Sequence, residues 1–156
     1  MECKIIFEHL KIDEIDQYSD LINTVFDEFV GMDYSEEGNN SFKDFIKKDN
    51  ILEKFNNGIY QYFVAKCNKE IIGILEIRNK NHISLFFVKK EYHKQGIGKK
   101  LFEHYKESIK ENDNIKILSV NSSIFAENIY SKLGFFKINE IQEKNGIKYI
   151  PMEYRI

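Results

Sequence analysis

The chain has 156 residues, 42% of them hydrophobic, with 13 Phe and 9 Tyr. This length suits one domain covering residues 1–156, and the apolar content is high enough for a packed core, which excludes a disordered chain. A formal net charge of −2 gives no global positive field, so we expect no nucleic-acid partner and no membrane partner.

The two cysteines, Cys3 and Cys67, form neither a CxxC nor a CxxxxC pair. This spacing predicts no zinc site and no disulfide framework, but two reduced and mostly buried thiols. No apolar run reaches the ~20 residues that span a bilayer, and the N-terminus carries charges where a signal peptide has its apolar core. We therefore expect a cytoplasmic protein.

Apolar residues recur at helical spacing in two stretches of the N-terminal third, and polar or glycine residues interrupt them. The predicted elements are a strand at Lys4–Glu8, a helix at Asp13–Val30, a loop at Asp33–Gly38 and a helix at Ser41–Phe55, which Asn57-Gly58 ends. Three strands follow, of which the first two form a hairpin around Asn68. They are predicted at Ile59–Lys66, Glu70–Arg78 and His82–Val88.

A segment rich in Lys and Gly, Lys89–Gly98, then leads into a helix predicted at Ile97–Lys110. The C-terminal part alternates strand and helix and closes with a hairpin around Asn145-Gly146, a strong type I′ turn signal. Its predicted elements are a strand at Ile115–Val120, a helix at Ile124–Leu133 ended by Gly134, and strands at Phe135–Ile141 and Ile147–Tyr154. The helical crossover between His82–Val88 and Ile115–Val120 makes these strands parallel if they share a sheet, so a mixed α/β sheet is predicted.

The most informative segment, Tyr92–Leu101, leaves a strand and opens a helix through Gly96-Ile97-Gly98. Glycines let the backbone approach a ligand closely, and the first N–H groups of a helix point outward, so such a turn binds anions. Five lysines lie in or beside this turn: Lys89, Lys90, Lys94, Lys99 and Lys100. Together these features predict a di- or polyphosphate ligand.

Two common phosphate loops do not match this segment. A P-loop needs Gly at position 93 and Ser or Thr at position 100, where the sequence has His93 and Lys100. A Rossmann fingerprint needs a small residue at position 101, where Leu101 stands. A lone GxG turn also occurs in ordinary surface helices with solvated lysines, and that alternative is open until a second motif is found.

The second motif is the block Asn121–Phe135, with Asn121, Ala126, Tyr130 and Gly134-Phe135 in order after the next strand. With both motifs the chain resembles the GNAT superfamily of acetyltransferases. In that family a Gln/Arg-x-x-Gly-x-Gly/Ala loop binds the coenzyme A pyrophosphate, and an Asn…Ala…Tyr-x-x-x-Gly-Phe block forms a second wall of the cofactor site. Two spaced motifs in matching strand-loop-helix contexts are far more specific than either alone.

The resemblance implies the GNAT fold: a mixed, mostly antiparallel sheet of about seven strands, with helices on both faces and a parallel strand pair splayed at the cofactor site. It implies acetyl-CoA as co-substrate and no metal. The residues implied to bind acetyl-CoA are Phe86, Phe87 and Val88 through strand backbone; His93, Lys94, Gln95, Gly96, Ile97, Gly98, Lys99 and Lys100 around the pyrophosphate; and Asn121, Ser123 and Tyr130 near the pantetheine. His93 departs from the family's Gln or Arg, which would weaken coenzyme A binding or make it pH-sensitive.

Direct acetyl transfer needs a base for the amine and an acid for the leaving sulfur. Tyr130 matches the family's Tyr, whose hydroxyl faces the sulfur; a packing role is the alternative. His82 opens the strand before the phosphate loop, and strand alternation places it on one face with Ser84, Phe86 and Val88. An imidazole with a pKa near 6.5 suits the role of base, although a His that only hydrogen-bonds a neighbour fits equally well.

Three carboxylates, Glu36, Glu37 and Glu76, are candidates to bind a cationic acceptor or to replace His82 as the base. Glu36 and Glu37 lie between the first helices, where the family frames its acceptor pocket, but exposed acids are also typical of a solvated surface. The sequence thus predicts an N-acetyltransferase for a small-molecule or peptide amine, acting as a monomer or homodimer. The alternative is a non-catalytic GNAT module that binds acyl-CoA as a sensor.

Overall fold

Eight strands form the mixed sheet in a computed structural model, which describes residues 3–109 and 114–156. They are β1 (Ile5–His9), β2 (Tyr60–Cys67), β3 (Glu70–Arg78), β4 (His82–Val88), β5 (Ile117–Ser122), β6 (Phe136–Lys137), β7 (Gln142–Lys144) and β8 (Ile147–Arg155). The spatial order is β1-β2-β3-β4-β5-β8-β6, and β7 pairs with β8. All pairs are antiparallel except β4 with β5, which confirms the predicted fold class with one strand more than expected.

Helices cover both faces of this sheet. They are α1 (Ile15–Val25), α2 (Glu36–Phe45), α3 (Lys48–Asn56), α4 (Ile97–Ile109) and α5 (Glu127–Leu133). One core cluster joins α4 and α5 to the sheet through Leu101, Phe102 and Tyr130, and we call this side the α4 face. A second cluster joins α1 and α3 to the opposite side through Tyr18 and Ile51, and we call it the α1 face.

The first two predicted helices are divided differently in the structure. The stretch Asp13–Val30 comprises a 3-10 turn at Ile12–Glu14, α1, and a π-helical turn at Phe26–Val30. The single helix predicted at Ser41–Phe55 is wrong, because α2 and α3 are separate helices. The loop predicted at Asp33–Gly38 already contains the start of α2, since the Ser35 hydroxyl caps this helix by accepting the Gly38 N–H at 3.1 Å.

The C-terminal elements agree in order but differ in extent. The strand predicted at Phe135–Ile141 is reduced to the two residues of β6, and the predicted helix at Ile124–Leu133 begins only at Glu127. Gly134 ends that helix with φ 111°, and Asn145 and Gly146 have φ of 53° and 77°, as a type I′ turn requires. The predicted end of α4 at Lys110 lies outside the described residues.

A β-bulge in β4 corrects the predicted alternation of that strand. Ile83 pairs with Ile77 of β3, but Leu85 pairs with Glu76, so Ser84 has no partner on β3. One extra residue reverses the alternation beyond it. Ile83 and Phe86 therefore both pack on the α4 face, whereas Leu85 packs on the α1 face.

Cys3 and Cys67 form a disulfide, so the prediction of two free thiols is wrong. Their Cα atoms are 5.6 Å apart although 64 residues separate them in the chain. The pairing of β1 with β2 sets Ile5 opposite Cys67 and brings Cys3 close by. Closing a loop of this length stabilises the fold by about 4 kcal/mol in the chain-entropy model. Cys67 packs with Ile97, so the bond ties the edge of the sheet beneath the start of α4.

Candidate active site

The parallel strands β4 and β5 are joined at one end only. Two residue pairs connect them, His82 with Ser119 and Ile83 with Val120, and the bulge at Ser84 follows immediately. Beyond this point the carboxyl-terminal halves of the two strands have no ladder between them. The gap leaves backbone groups on its edges, which suits an extended ligand that hydrogen-bonds like a strand.

The N-terminus of α4 follows the open end of β4. Ile97 is 3% exposed and anchors the helix, while Gly96, Lys99 and Lys100 are exposed. The first backbone bond of this turn runs from Lys100 N–H to the Gly96 carbonyl at 3.0 Å, so the preceding N–H groups of the helix have no partner among the described residues and suit an anion. Gly96 has φ +77°, and a Cβ built on it meets no atom of the described residues within 4 Å. The turn thus has the backbone and the open space that a phosphate needs.

His93, which the resemblance places beside the pyrophosphate, contacts other parts of the protein in this structure. Its Nε2 lies 2.6 Å from the Val88 carbonyl, and its ring lies 5.3 Å from the ring of Phe29 in the π-helical turn. Phe29 in turn stacks on Phe125, from the loop after β5, at 5.0 Å. These three rings therefore link the segments that follow β4 and β5 at the open end of the gap. Phe29 belongs to the predicted helix at Asp13–Val30, and Phe125 belongs to the second motif. Nothing in the sequence indicates that the two rings meet.

The remaining residues predicted to bind acetyl-CoA lie around the gap and differ in their exposure and hydrogen bonding. Phe86 and Phe87 of β4 are half-buried, on opposite faces of the sheet. Asn121 is exposed near the end of β5. The Ser123 hydroxyl accepts the Ala126 N–H at 3.2 Å and so helps to start α5. Two further loop residues, Lys94 and Gln95, are exposed.

Tyr130 packs on the α4 face against Phe86 of β4, which lies beside the gap. Its side chain is 6% exposed and meets Phe86 edge-on at 6.0 Å and Phe135 at 5.4 Å. Its hydroxyl makes no hydrogen bond with any described residue. Burial raises the pKa of the Tyr130 phenol above its usual value, so the group stays protonated at neutral pH. A protonated hydroxyl with no partner in the described part of the chain can donate to a ligand.

His82 lies at the end where β4 and β5 are joined. Because Ile83 packs on the α4 face, the neighbouring His82 points to the α1 face, and the prediction that it shares a face with Phe86 is wrong. Its Nδ1 lies 2.8 Å from the Ser119 hydroxyl oxygen. Burial, and to a lesser degree the charge of Arg78, lower the pKa of His82 to about 4. The imidazole is therefore neutral at pH 7.

The three candidate carboxylates do not form one site. Glu36 and Glu37 are exposed in the first turn of α2. Glu76 is 0% exposed; it accepts the Tyr18 hydroxyl at 2.8 Å and pairs with Lys54 at 3.1 Å. A carboxylate enclosed by two partners holds α1 and α3 on the sheet, and these contacts argue against its acting on an acceptor.

Within the described residues, no cluster of three or more His, Cys, Asp or Glu side chains is arranged to bind a metal ion. In the same ranges no helix combines the length and the apolar character needed to cross a membrane.

The sequence and its fold match those of a known protein family. The family model described as an acetyltransferase (GNAT) domain matches residues 30–156. The chain belongs to the GNAT acetyltransferase family. Membership supports acyltransferase activity with an acyl-CoA donor. No curated protein matches the sequence.

Solved structures share the GNAT fold at low identity. A GCN5-related N-acetyltransferase from Rhodopseudomonas palustris matches with a TM-score of 0.82 at 15% identity, covering 100% of this chain and 98% of that one. The PaiA N-acetyltransferase from Thermoplasma acidophilum, described as a complex with coenzyme A, matches with a TM-score of 0.79 at 20% identity, covering 98% and 99%. A GNAT-family acetyltransferase from Staphylococcus aureus Mu50 matches with a TM-score of 0.73 at 20% identity, covering 97% and 99%.

Proposed function

We propose that this GNAT protein transfers the acetyl group of acetyl-CoA to a primary amine, by direct attack of the amine in a ternary complex. The observation that carries the proposal is the gap between β4 and β5, with an open helix N-terminus after β4 and Tyr130 packed against Phe86 beside it. The N-terminus suits the pyrophosphate and the gap suits the pantetheine arm. The coenzyme A complex of the Thermoplasma neighbour supports this use of the site.

The proposed reaction uses the two faces of the sheet for two proton transfers. The amine approaches from the α1 face, its nitrogen bonds to the thioester carbon, and His82 accepts the amine proton. The carbon–sulfur bond breaks, Tyr130 on the α4 face protonates the leaving sulfur, and the Tyr130 phenolate then takes a proton from solvent. In this proposal the acid and the base lie on opposite sides of the reacting carbon. Tyr130 therefore does not block the amine, and His82 does not block the leaving sulfur. Glu36 and Glu37 are proposed to attract a cationic acceptor.

Substitution of Gly96 by Ala is expected to weaken acetyl-CoA binding roughly tenfold or more, because the added methyl enters the space beside the helix N-terminus and costs charge-assisted hydrogen bonds. Gly58→Ala is a matched control, since Gly58 has φ +76° and open space around its Cβ, as Gly96 does at φ +77°. Both variants carry the same backbone penalty. Calorimetric titration of both with acetyl-CoA separates the effects, and equal affinity in Gly96→Ala and Gly58→Ala would remove this loop from the site.

We propose that residues 1–156 act as one domain, since β1 at the N-terminus pairs with β2 in the same sheet as β8. The acceptor is proposed to be a small-molecule or peptide amine, and the protein a monomer or homodimer. Disulfides are rare in reducing compartments, so the Cys3–Cys67 bond weighs against the expected cytoplasmic location.

A further inference from the structure

A row of polar side chains crosses three neighbouring strands at the closed end of the gap. His82 of β4 is in register with Ser119 of β5, and Ser119 is in register with Glu153 of β8. Side chains in register lie on the same face of a sheet. The residues flanking Ser119, Leu118 and Val120, belong to the core of the α4 face. The row therefore lies on the α1 face, where the acceptor is proposed to enter.

All three members of this row are half-buried. The contact from His82 Nδ1 to the Ser119 hydroxyl oxygen is 2.8 Å. In residues 3–109 and 114–156, His82 Nε2 has no hydrogen-bond partner, and the Glu153 carboxylate has neither a hydrogen bond nor an ion pair. One imidazole nitrogen is thus fixed by the protein, while the other is available to a ligand.

The charged surroundings of His82 come from several elements. Arg78 of β3 is its cross-strand partner, and Glu153 lies beyond Ser119 on β8. Glu76, two residues before Arg78, is already bonded to Tyr18 of α1 and Lys54 of α3. Glu153 is therefore the carboxylate in this row that is available to accept a hydrogen bond.

The direction of the bond between His82 and Ser119 decides what the imidazole can do. A neutral imidazole has one N–H and one lone pair, and the partner of one nitrogen sets the state of the other. If Ser119 donates to Nδ1, then Nε2 carries hydrogen and cannot accept a proton. If Nδ1–H donates to Ser119, the Nε2 lone pair is free, and the serine hydroxyl needs an acceptor of its own.

We propose that Ser119 is a positioning residue that holds His82 in the Nδ1–H form, with Glu153 as the acceptor available to the serine hydroxyl. The inference rests on the proposed function, in which His82 takes the amine proton. During transfer the amine N–H bond breaks and its proton goes to Nε2. The Nδ1 proton stays in place, and the imidazolium that forms keeps its bond to Ser119. The Nε2 proton then leaves to solvent.

The test compares Ser119→Ala with Ser119→Thr, which restores a hydroxyl and is well suited to a strand. Ser19→Ala on α1, whose hydroxyl bonds to the Ile46 carbonyl, serves as the serine control. Nitrogen-15 NMR of labelled histidines reports which ring nitrogen carries hydrogen, and a His82→Gln variant identifies the His82 signals. Amine acetylation is measured in parallel.

Ser119→Ala is expected to lower kcat/KM for the amine about tenfold and to shift His82 away from the Nδ1–H form, and Ser119→Thr is expected to restore both. An unchanged tautomer in Ser119→Ala would overturn the inference, as would full activity of Ser119→Ala alongside a slow His82→Gln variant. The tautomer is read without substrate, so the inference is decided even if no amine is acetylated. A failure to acetylate any amine would refute the proposed function and leave the inference about Ser119 to the NMR result.

Discussion

Replacement of Tyr130 by Phe is expected to slow the chemical step of acetyl transfer by about 10²–10⁴-fold, the usual contribution of a general acid. The ring keeps its contacts with Phe86 and Phe135, at 6.0 and 5.4 Å, so acetyl-CoA affinity should hardly change. Thermal stability should not change either, because the hydroxyl has no hydrogen-bond partner among the described residues. Single-turnover kinetics at saturating acetyl-CoA measures the effect.

Tyr62→Phe is a matched control for this experiment. Tyr62 is 5% exposed, and its hydroxyl is buried without a hydrogen-bond partner in the described part of the chain. It packs against Tyr18 on the α1 face, away from Tyr130. This variant should turn over like the parent. An equally fast Tyr130→Phe enzyme would show that the Tyr130 hydroxyl takes no part in the reaction.

His82→Gln is expected to lower kcat/KM for the amine by about 10²-fold, at the lower end of the range for a general base. The reason for the lower end is the depressed pKa of His82, about 4, which makes the imidazole a weaker base than one in water. Gln keeps hydrogen-bonding capacity near Ser119 but cannot take up a proton. Binding of acetyl-CoA should be retained.

The pH dependence follows from the same pKa. A base acts in its neutral form, so the activity due to His82 should be lost only as the pH falls through about 4, where the imidazole becomes charged. An imidazole exposed to water would instead give a limb near its usual pKa, about 6.5. A limb between pH 6 and 7 that disappears in His82→Gln would contradict the burial of this ring. A His82→Gln enzyme as active as the parent would place the base elsewhere.

The sequence was informative where one residue type determines the local backbone. Asn145-Gly146 and Gly134 marked a turn and a helix end because few residues adopt positive φ. The turn proposed to bind phosphate was recognisable for a similar reason, since Gly96 stands where the backbone has φ +77° and open space beside it. Tyr130 was chosen as a candidate from its position in a motif, and that choice needs no knowledge of packing.

Features that depend on strand register were not predictable from the sequence. The bulge at Ser84 has no turn residue to mark it, yet it reverses the alternation that had placed His82 with Phe86. The bond between Cys3 and Cys67 exists because β1 pairs with β2, and the spacing of the two cysteines carries no such information. Ser119 meets His82 for the same reason. By contrast, Ser35 before two acidic residues is a helix-start signal that could have been used.

The transfer of acetyl groups to amines by this protein can be measured with purified components. The protein is incubated with acetyl-CoA and a panel of amines, including polyamines, aminoglycosides, amino acids and lysine-containing peptides, while thiol release and product mass are followed together. We expect amine-dependent release of coenzyme A, with one acetyl group gained by at least one amine for each thiol formed. Tight binding of acetyl-CoA without amine-dependent thiol release for any member of the panel would refute acetyl transfer to amines and favour a protein that binds acyl-CoA as a sensor.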